Sequence, residues 1–437
     1  MMKNDKKGSI LLVAILLGTG IALALGSFIT LSVSSLKLSN RSLHSNSVLN
    51  LAEAAVEEGI YALNKSDWTG WSTHGSGSQN KTMSLGPFDL GHGAAGEATI
   101  VVYGATSSPS PRIVAEGMVR PSIGPPISKQ IEVKLRRRSH WATGLVAKDK
   151  ITFSGGNATV DSYVSDDPSY STGGLYDASK RRDRGSAGSI SVTTDAVSIS
   201  NSDIWGYVAT GGSLPQAGPN GTIRGTDTPA GVKIDLDRIT TDFSATFDPV
   251  AAPTSFDVLA TDITGNATLG SSGTTTSVRA ANVSNTNGKT IEILGNVTLV
   301  VTNEVDIKGT LIVRPNSTLT IFVNGDFFAG GNGAVNQSGL PANLIIYGTA
   351  TSPGGQTIKL HGNGALHGAV YAPNAAVELE GGGSSGSMSG SVVANTITIT
   401  GNYAFHYDEA LEKVGSGNPF AVNRWRELIL AADRVSL

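Results

Sequence analysis

Apolar side chains run almost without a break from Ile10 to Val33, and no charged residue stands between Ser9 and Lys37. About 20 apolar residues in a helix span a ~30 Å hydrocarbon core, so this run predicts a membrane-crossing helix over 9–35. Beyond it the pattern changes. Leu36, Leu43, Leu51, Ala54, Ala55 and Ile60 recur at helical spacing among Ser, Asn, Glu and His, with no proline or glycine from Ser27 to Glu58. The prediction is one helix from Ser9 to about Leu63, ~80 Å long at 1.5 Å per residue. It is apolar all round at first and amphipathic over 36–64.

From residue 65 the period shortens. Residues 65–95 read as loop, followed by strand signals at 97–103, 112–119 and 127–135 that prolines punctuate. Residues 65–140 are therefore expected to form a small β region joining the helix to the main body. From Trp141 the chain becomes short alternating runs separated by Gly-Asn, as in Gly156-Asn157-Ala158-Thr159-Val160, Gly265-Asn266-Ala267-Thr268-Leu269 and Gly295-Asn296-Val297-Thr298-Leu299. Gly331-Asn332, Gly362-Asn363 and Gly401-Asn402 repeat the phrase, and Pro315-Asn316 and Pro373-Asn374 are degenerate copies. Glycine and asparagine tolerate left-handed backbone angles, so each pair supplies a tight corner. A short strand with a sharp corner cannot bury its apolar face alone and must stack on a copy, which is the logic of a β-solenoid. The rival architecture is a β-sandwich, which needs longer strands than 318–323 or 396–400. Residues 405–437 are expected to form a helical cap over the last coil. Its Asn418-Pro419 start suits a helix, and Phe420, Val422, Trp425, Leu428 and Leu430 stand among charged residues. The fold class is thus mainly β: a parallel β-solenoid over 141–404, preceded by a long transmembrane and stalk helix and closed by a C-terminal helix.

Composition supports the β reading. Of 437 residues 54 are Gly and only 15% are charged, while Val, Ile and Thr are too frequent for a disordered chain. Cysteine is absent, which excludes a disulfide scaffold and thiolate metal sites. A net charge of -3 gives no reason to expect nucleic acid. The basic runs Arg136-Arg137-Arg138 and Lys180-Arg181-Arg182-Asp183-Arg184 are short and read as solvated loops.

Lys3, Lys6 and Lys7 precede the apolar run, and cytoplasmic flanks carry the excess of Lys and Arg. The N-terminus is therefore expected in the cytoplasm and the body outside the bacterial inner membrane, periplasmic or on the cell surface. A secretory signal cut near Ala22-Leu23-Ala24 is one alternative, although such apolar regions span only ~7–15 residues. A plain signal anchor is another.

Lys6-Lys7-Gly8-Ser9-Ile10-Leu11-Leu12-Val13, with Leu51-Ala52-Glu53-Ala54-Ala55-Val56-Glu57-Glu58-Gly59 further on, resembles the N-terminal domain of PilX-type pilus assembly proteins. The resemblance covers roughly 1–64. It implies a prepilin leader over 1–8, cleavage by a prepilin peptidase after Gly8, and Ser9 as the first mature residue. Major pilins of this kind carry a glutamate at the fifth mature position, where this chain has Val13. That departure points to a minor or accessory subunit, partnered through its helix by other pilin-like subunits. Residues 344–348, 367–374 and 405–411 resemble an uncharacterised domain often found behind such anchors. That likeness spans roughly 141–411 and implies no activity.

Solenoids also host carbohydrate-active enzymes, which need paired carboxylates ~5–10 Å apart, or acidic calcium ligands with a base. The acids available in 290–405 are Glu292, Glu304, Asp306, Asp326, Glu378 and Glu380. Asp306 and Asp326 are candidates for adjacent coils, yet nothing ties them to a base. His361 and His367 flank one corner, with His406 as the candidate third histidine; structural or solvent-facing histidines are the expectation. Asp166-Asp167 reads as a loop. His406-Tyr407-Asp408 is the most enzyme-like cluster, with Asp408 placed as a helix N-cap. No catalytic, cofactor-binding or metal-ligating residue is assigned and no cofactor is implied. The expected function is that of an accessory, minor pilin-like component of a type IV pilus or type II secretion-type system. Its non-catalytic solenoid would serve structure or adhesion, with a surface carbohydrate or protein as partner. A permanently anchored surface protein and a carbohydrate-active enzyme remain the alternatives.

Overall fold

The computed structural model describes residues 7–436 apart from 76–79, 92, 107, 109–110, 123, 138, 155, 331–332, 363–364, 382–385, 415–418 and 431. The chain forms two units, one comprising 1–138 with 417–437 and the other comprising 139–416.

The first unit is built on a single helix, α1, over Lys7–Lys65. Three hydroxyls in its apolar half do not compete with the helix, because each donates to a carbonyl one turn back. Thr19 Oγ1 reaches Ile15 O at 3.0 Å, Ser27 Oγ reaches Leu23 O at 2.9 Å and Thr30 Oγ1 reaches Gly26 O at 2.8 Å. These three need no water, which suits hydrocarbon. The helix stops where Ser66 turns left-handed at φ 54° and the Asp67 amide returns to Ala62 O at 3.1 Å.

Its second half lies on a six-stranded antiparallel sheet ordered 72–73, 81–89, 95–103, 112–120, 127–137 and 420–427. Val48, Ala52, Ala55, Val56 and Leu63 on the helix are buried, and Ala98, Ile100, Val102, Ile113, Ala115, Ile131, Val133 and Leu135 on the sheet complete the core. Small residues set the spacing. A Cβ at Gly59 would fall 2.7 Å from Ile100 Cδ1, and one at Gly117 would fall 2.1 Å from Val48 O. Gly59 is therefore a point of close approach within a continuing helix.

Two expectations fail in this unit. Residues 81–89, expected as loop, form a strand, with Gly86-Pro87 at the register shift against 95–103. The C-terminal helical cap is absent among the described residues. Within 405–437 the helical part is a 3-10 turn, Glu409–Lys413, and Phe420–Glu427 is an edge strand antiparallel to Ile127–Arg137. The open edge of 127–137 offers a row of backbone partners, and Glu132 takes Arg426, its register partner. Those long-range bonds outweigh a weak amphipathic pattern. Asn418, the expected N-cap, lies outside the described residues.

The second unit is a parallel β-solenoid. One ladder of strands runs through 258–259, 275–280, 296–301, 318–323, 344–348, 369–372 and 391–394. A second runs through 262–264, 282–285, 305–307, 327–329, 356–362, 375–381 and 396–400, and a third through 267–269, 290–293, 310–313 and 333–336. Alternate residues point inward to one aliphatic core that includes Ile293, Leu299, Ile321, Phe327, Ile346, Leu379 and Phe405.

The coils do not stack in chain order. Strand 392–394 pairs next with 145–147, which occurs 247 residues earlier, and the ladder continues through 185–189, 206–210 and 239–240. The chain thus enters the solenoid at mid-length, winds to one end, and crosses to the other end before winding back. The crossing segment, 241–257, is a strap along the outside. Its Phe243 amide donates to Thr210 O at 2.9 Å, Asp248 O accepts from the Tyr371 hydroxyl at 2.9 Å, and the Asp257 amide donates to Ser277 O at 2.9 Å. Beneath it Trp141, Val146, Tyr371 and Val393 form an outward apolar strip that Phe243, Phe247 and Val250 cover.

Several Gly-Asn corners take the expected form. Gly265, Gly295 and Gly401 have φ of 69°, 72° and 80°, and Asn316 has 59°. The asparagines also clamp the next coil. Asn266 Oδ1 accepts from the Thr290 amide at 2.8 Å, and Asn157 Nδ2 donates to Asn402 Oδ1 at 3.3 Å. Pro373-Asn374 differs, being a register shift inside the continuous strand Ala365–Gly381. Gly331, Asn332 and Asn363 lie outside the described residues.

Candidate functional site

Gly8 and Ser9, the expected processing residues, fall in the first turns of α1, and residues 1–6 lie outside the described part. From Leu11 onward the apolar half of the helix is uncovered, with Leu23 73% and Leu31 71% exposed. Burial begins at Val48, where the sheet takes over. α1 is long and apolar enough to cross a membrane.

Most of the candidate acids of the solenoid lie against cations or a backbone amide. Asp306 and Asp326 do fall on adjacent coils, since the Val305 amide donates to Asp326 O, but the register partner of Asp306 is Phe328. Asp306 pairs with Lys308 at 2.7 Å, and Asp326 accepts from the Thr357 amide at 2.7 Å. Glu292 is held by Arg314, while Glu378 and Glu380 share Lys359 at 3.2 and 2.8 Å. The Lys359 ammonium holds the Glu380 carboxyl below its ordinary range, burial acting against it. His361 Nδ1 lies 3.3 Å from Glu380, an ion-pair contact without a well-directed hydrogen bond. Among the described residues no group of three or more His, Asp or Glu could hold a metal.

The His406 cluster is where the two coil blocks meet. Parallel pairing aligns His367 with Ser389, Ser389 with His406 and His406 with Asp161. His406 Nδ1 and Asp161 Oδ1 are 2.6 Å apart, the Tyr176 hydroxyl donates to Asp161 Oδ2 at 2.6 Å, and the Tyr176 ring stacks on the imidazole at 3.5 Å. Burial lowers the His367 pKa, with positive charge on His406 acting the same way. Asp408 caps the Glu409–Lys413 turn as expected by accepting from the Ala410 amide, and it also accepts from the Ser165 amide at 3.0 Å. Burial pushes its carboxyl above the ordinary range, and these two amides offset part of the shift. Asp166-Asp167 forms a turn, with the Ser169 amide donating to Asp167 Oδ1.

An Asp-His pair beside a serine has the membership of a nucleophilic triad. Here Ser389 is 2% exposed, Asp161 is 4% exposed, and Tyr176 lies over the imidazole. The arrangement joins coils of the two blocks.

The basic run 180–184 is only in part a solvated loop: Arg181 and Arg184 are exposed, but the run also makes ion pairs with buried groups. Arg182 and Arg184 bind the buried Glu409 at 3.0 and 3.2 Å, and Asp183 pairs with Arg238 at 2.8 Å. Arg136 and Arg137 belong to the strand Ile127–Arg137 rather than a loop, and Arg138 is outside the described residues. The residues that sequence reasoning missed are Asp161, Tyr176, Arg182, Arg184 and Glu409, drawn together from about 245 positions apart by the out-of-order stacking. The only available signal was charge opposition between Arg181-Arg182-Asp183-Arg184 and Asp408-Glu409-Ala410-Leu411-Glu412.

No curated protein matches the chain. Residues 262–414 match the family model of a domain of unknown function, DUF7305, a stretch that opens at the strand Asp262–Thr264 and closes just past the turn Glu409–Lys413, so that its sequential coils are the part of this chain similar to that family.

Proposed function

We propose that this chain is a membrane-anchored, prepilin-like accessory subunit of a type IV pilus or type II secretion-type system. In this reading α1 is held in the inner membrane with its N-terminus cytoplasmic, and Gly8 is the residue after which a prepilin peptidase cuts. The solenoid is presented outside as a structural or adhesive, non-catalytic body. The observation that carries the reading is the division of labour along one 59-residue helix, apolar and uncovered up to Val33 and seated on a sheet from Val48. Such a helix has two places to put its bare half, a bilayer or a bundle of similar helices. The N-terminal likeness to PilX-type proteins selects a system that uses both in turn. The pairing of Glu292, Glu378 and Glu380 with cations of neighbouring coils, and of Asp306 with Lys308 on its own coil, supports the non-catalytic body.

Intact and N-terminal peptide mass of the protein from its native membrane tests this. A mature chain starting at Ser9 is expected. A start at Met1 or Met2 would establish the second reading, a permanently anchored surface protein that shares every feature except cleavage. A start near Gly26 would overturn both.

A further inference from the structure

The strand Asp203–Thr210 sends Ile204, Val208 and Thr210 into the core and keeps Asp203, Trp205 and Tyr207 on its outer face. Alternate residues on a strand stand about 6.8 Å apart, so the two rings sit side by side. Tyr207 is 45% exposed. Beneath it the Arg238 guanidinium lies 4.8 Å from the ring centroid, is itself 5% exposed, and is fixed by Asp183 at 2.8 Å. Trp205 carries Arg181 at 4.4 Å and Arg224 at 5.8 Å from its ring. Arg224 is oriented by two bonds to Asp203, from Nε at 3.2 Å and Nη2 at 2.9 Å. Arg181 is exposed and rests on the indole.

The patch combines an exposed tyrosine ring backed by a buried guanidinium with the exposed guanidinium of Arg181 at the rim. Exposed ring–cation contacts add little to a fold, so stability is a weak reason for an outward tryptophan and tyrosine. Trp, Tyr and Arg are the residues that dominate binding surfaces. The C–H face of a pyranose stacks on an aromatic ring, and a guanidinium grips a carboxylate with two parallel bonds, which lysine cannot do. We propose that this face binds an acidic polysaccharide, a uronate-bearing chain whose sugar rings lie on Tyr207 and beside Trp205 and whose carboxylates meet Arg181. The proposal deepens the adhesive part of the reading above and rests on the solenoid being displayed, but not on cleavage at Gly8.

The test is titration calorimetry of the full chain in detergent with polygalacturonate, alginate and hyaluronan, and with dextran as the uncharged polymer. Saturable binding to at least one uronate polymer and none to dextran is expected. Tyr207→Ala and Arg181→Gln should each weaken it about tenfold with the thermal midpoint unchanged, and added salt should weaken wild type more than R181Q. Trp205→Phe, which keeps a ring, should retain most of the affinity. Failure of all three uronate polymers to bind, equal binding of dextran, or wild-type affinity in both Y207A and R181Q would overturn the site. The N-terminal mass is independent of these results, so loss of the glycan site and loss of the pilin-like reading are told apart.

Discussion

Glycine has opposite meanings at different positions in this chain. Gly18, Gly20 and Gly26 on the bare half of α1 have nothing within 4 Å of a built Cβ, whereas Gly59 meets Ile100, Ile113 and Val102 within 3.3 Å. Gly59→Val is therefore expected to push the helix off the sheet and destabilise the first unit by about 2–3 kcal/mol. Gly20→Ala should leave its unfolding midpoint unchanged. Denaturant unfolding followed by Trp68 and Trp71, which pack against this core, reads both. The sequence shows these glycines equally, and only the sheet packed against residue 59 separates them.

At the scale of elements, the return strand Phe420–Glu427 depends on Glu132. The Glu132 side chain is 3% exposed and accepts from Arg112 at 3.1 Å and Arg426 at 2.5 Å. Burial alone would raise its pKa, but the two guanidiniums outweigh it and the folded value lies below the ordinary 4.5. A carboxyl with a depressed folded pKa contributes stability that is complete above its unfolded pKa and is lost as pH falls through the folded one. The strand is thus expected to hold at pH 6–8 and to loosen only below about pH 4. Glu132→Gln should lower stability by about 2 kcal/mol at neutral pH and flatten that acid limb. Amide exchange of residues 420–427 across pH checks both. The pattern of 420–430 suits either a helix or an edge strand when read locally. The decision belongs to a partner some 290 residues away.

At the scale of the whole molecule, the solenoid is closed by joining two blocks in the reverse of their chain order. Coils 258–408 would end in an open edge at 386–408, and 145–163 covers it. The charged seam secures that joint. Asp161→Asn should cost about 2–3 kcal/mol, because the change disturbs both the His406 and the Tyr176 bonds in a buried setting. A double-mutant cycle with Tyr176→Phe should return a coupling near 1 kcal/mol. Limited proteolysis within 164–184, the excursion that covers the seam, is the companion measurement. Wild-type resistance in both single variants would show that the apolar core holds the blocks together without this cluster. The body is also an insertion in the sheet, since the chain leaves it after Ile127–Arg137 and returns as the neighbouring strand.

The sequence by itself determined what depends on near neighbours. These are the span of α1, the three strands over 97–135, and the left-handed corners at Gly265, Gly295 and Gly401, because hydrophobic period and backbone freedom act within a few residues. Only the tertiary structure decided which coil stacks on which, that 241–257 is a strap, that 420–427 is a strand, and that Asp161 meets His406. Parallel coils of similar period present nearly interchangeable edges, and a local pattern does not say which distant edge a strand will find. Buried charge at the seam and the contacts along the strap distinguish one stacking order from the others, and both exist only once the coils have met.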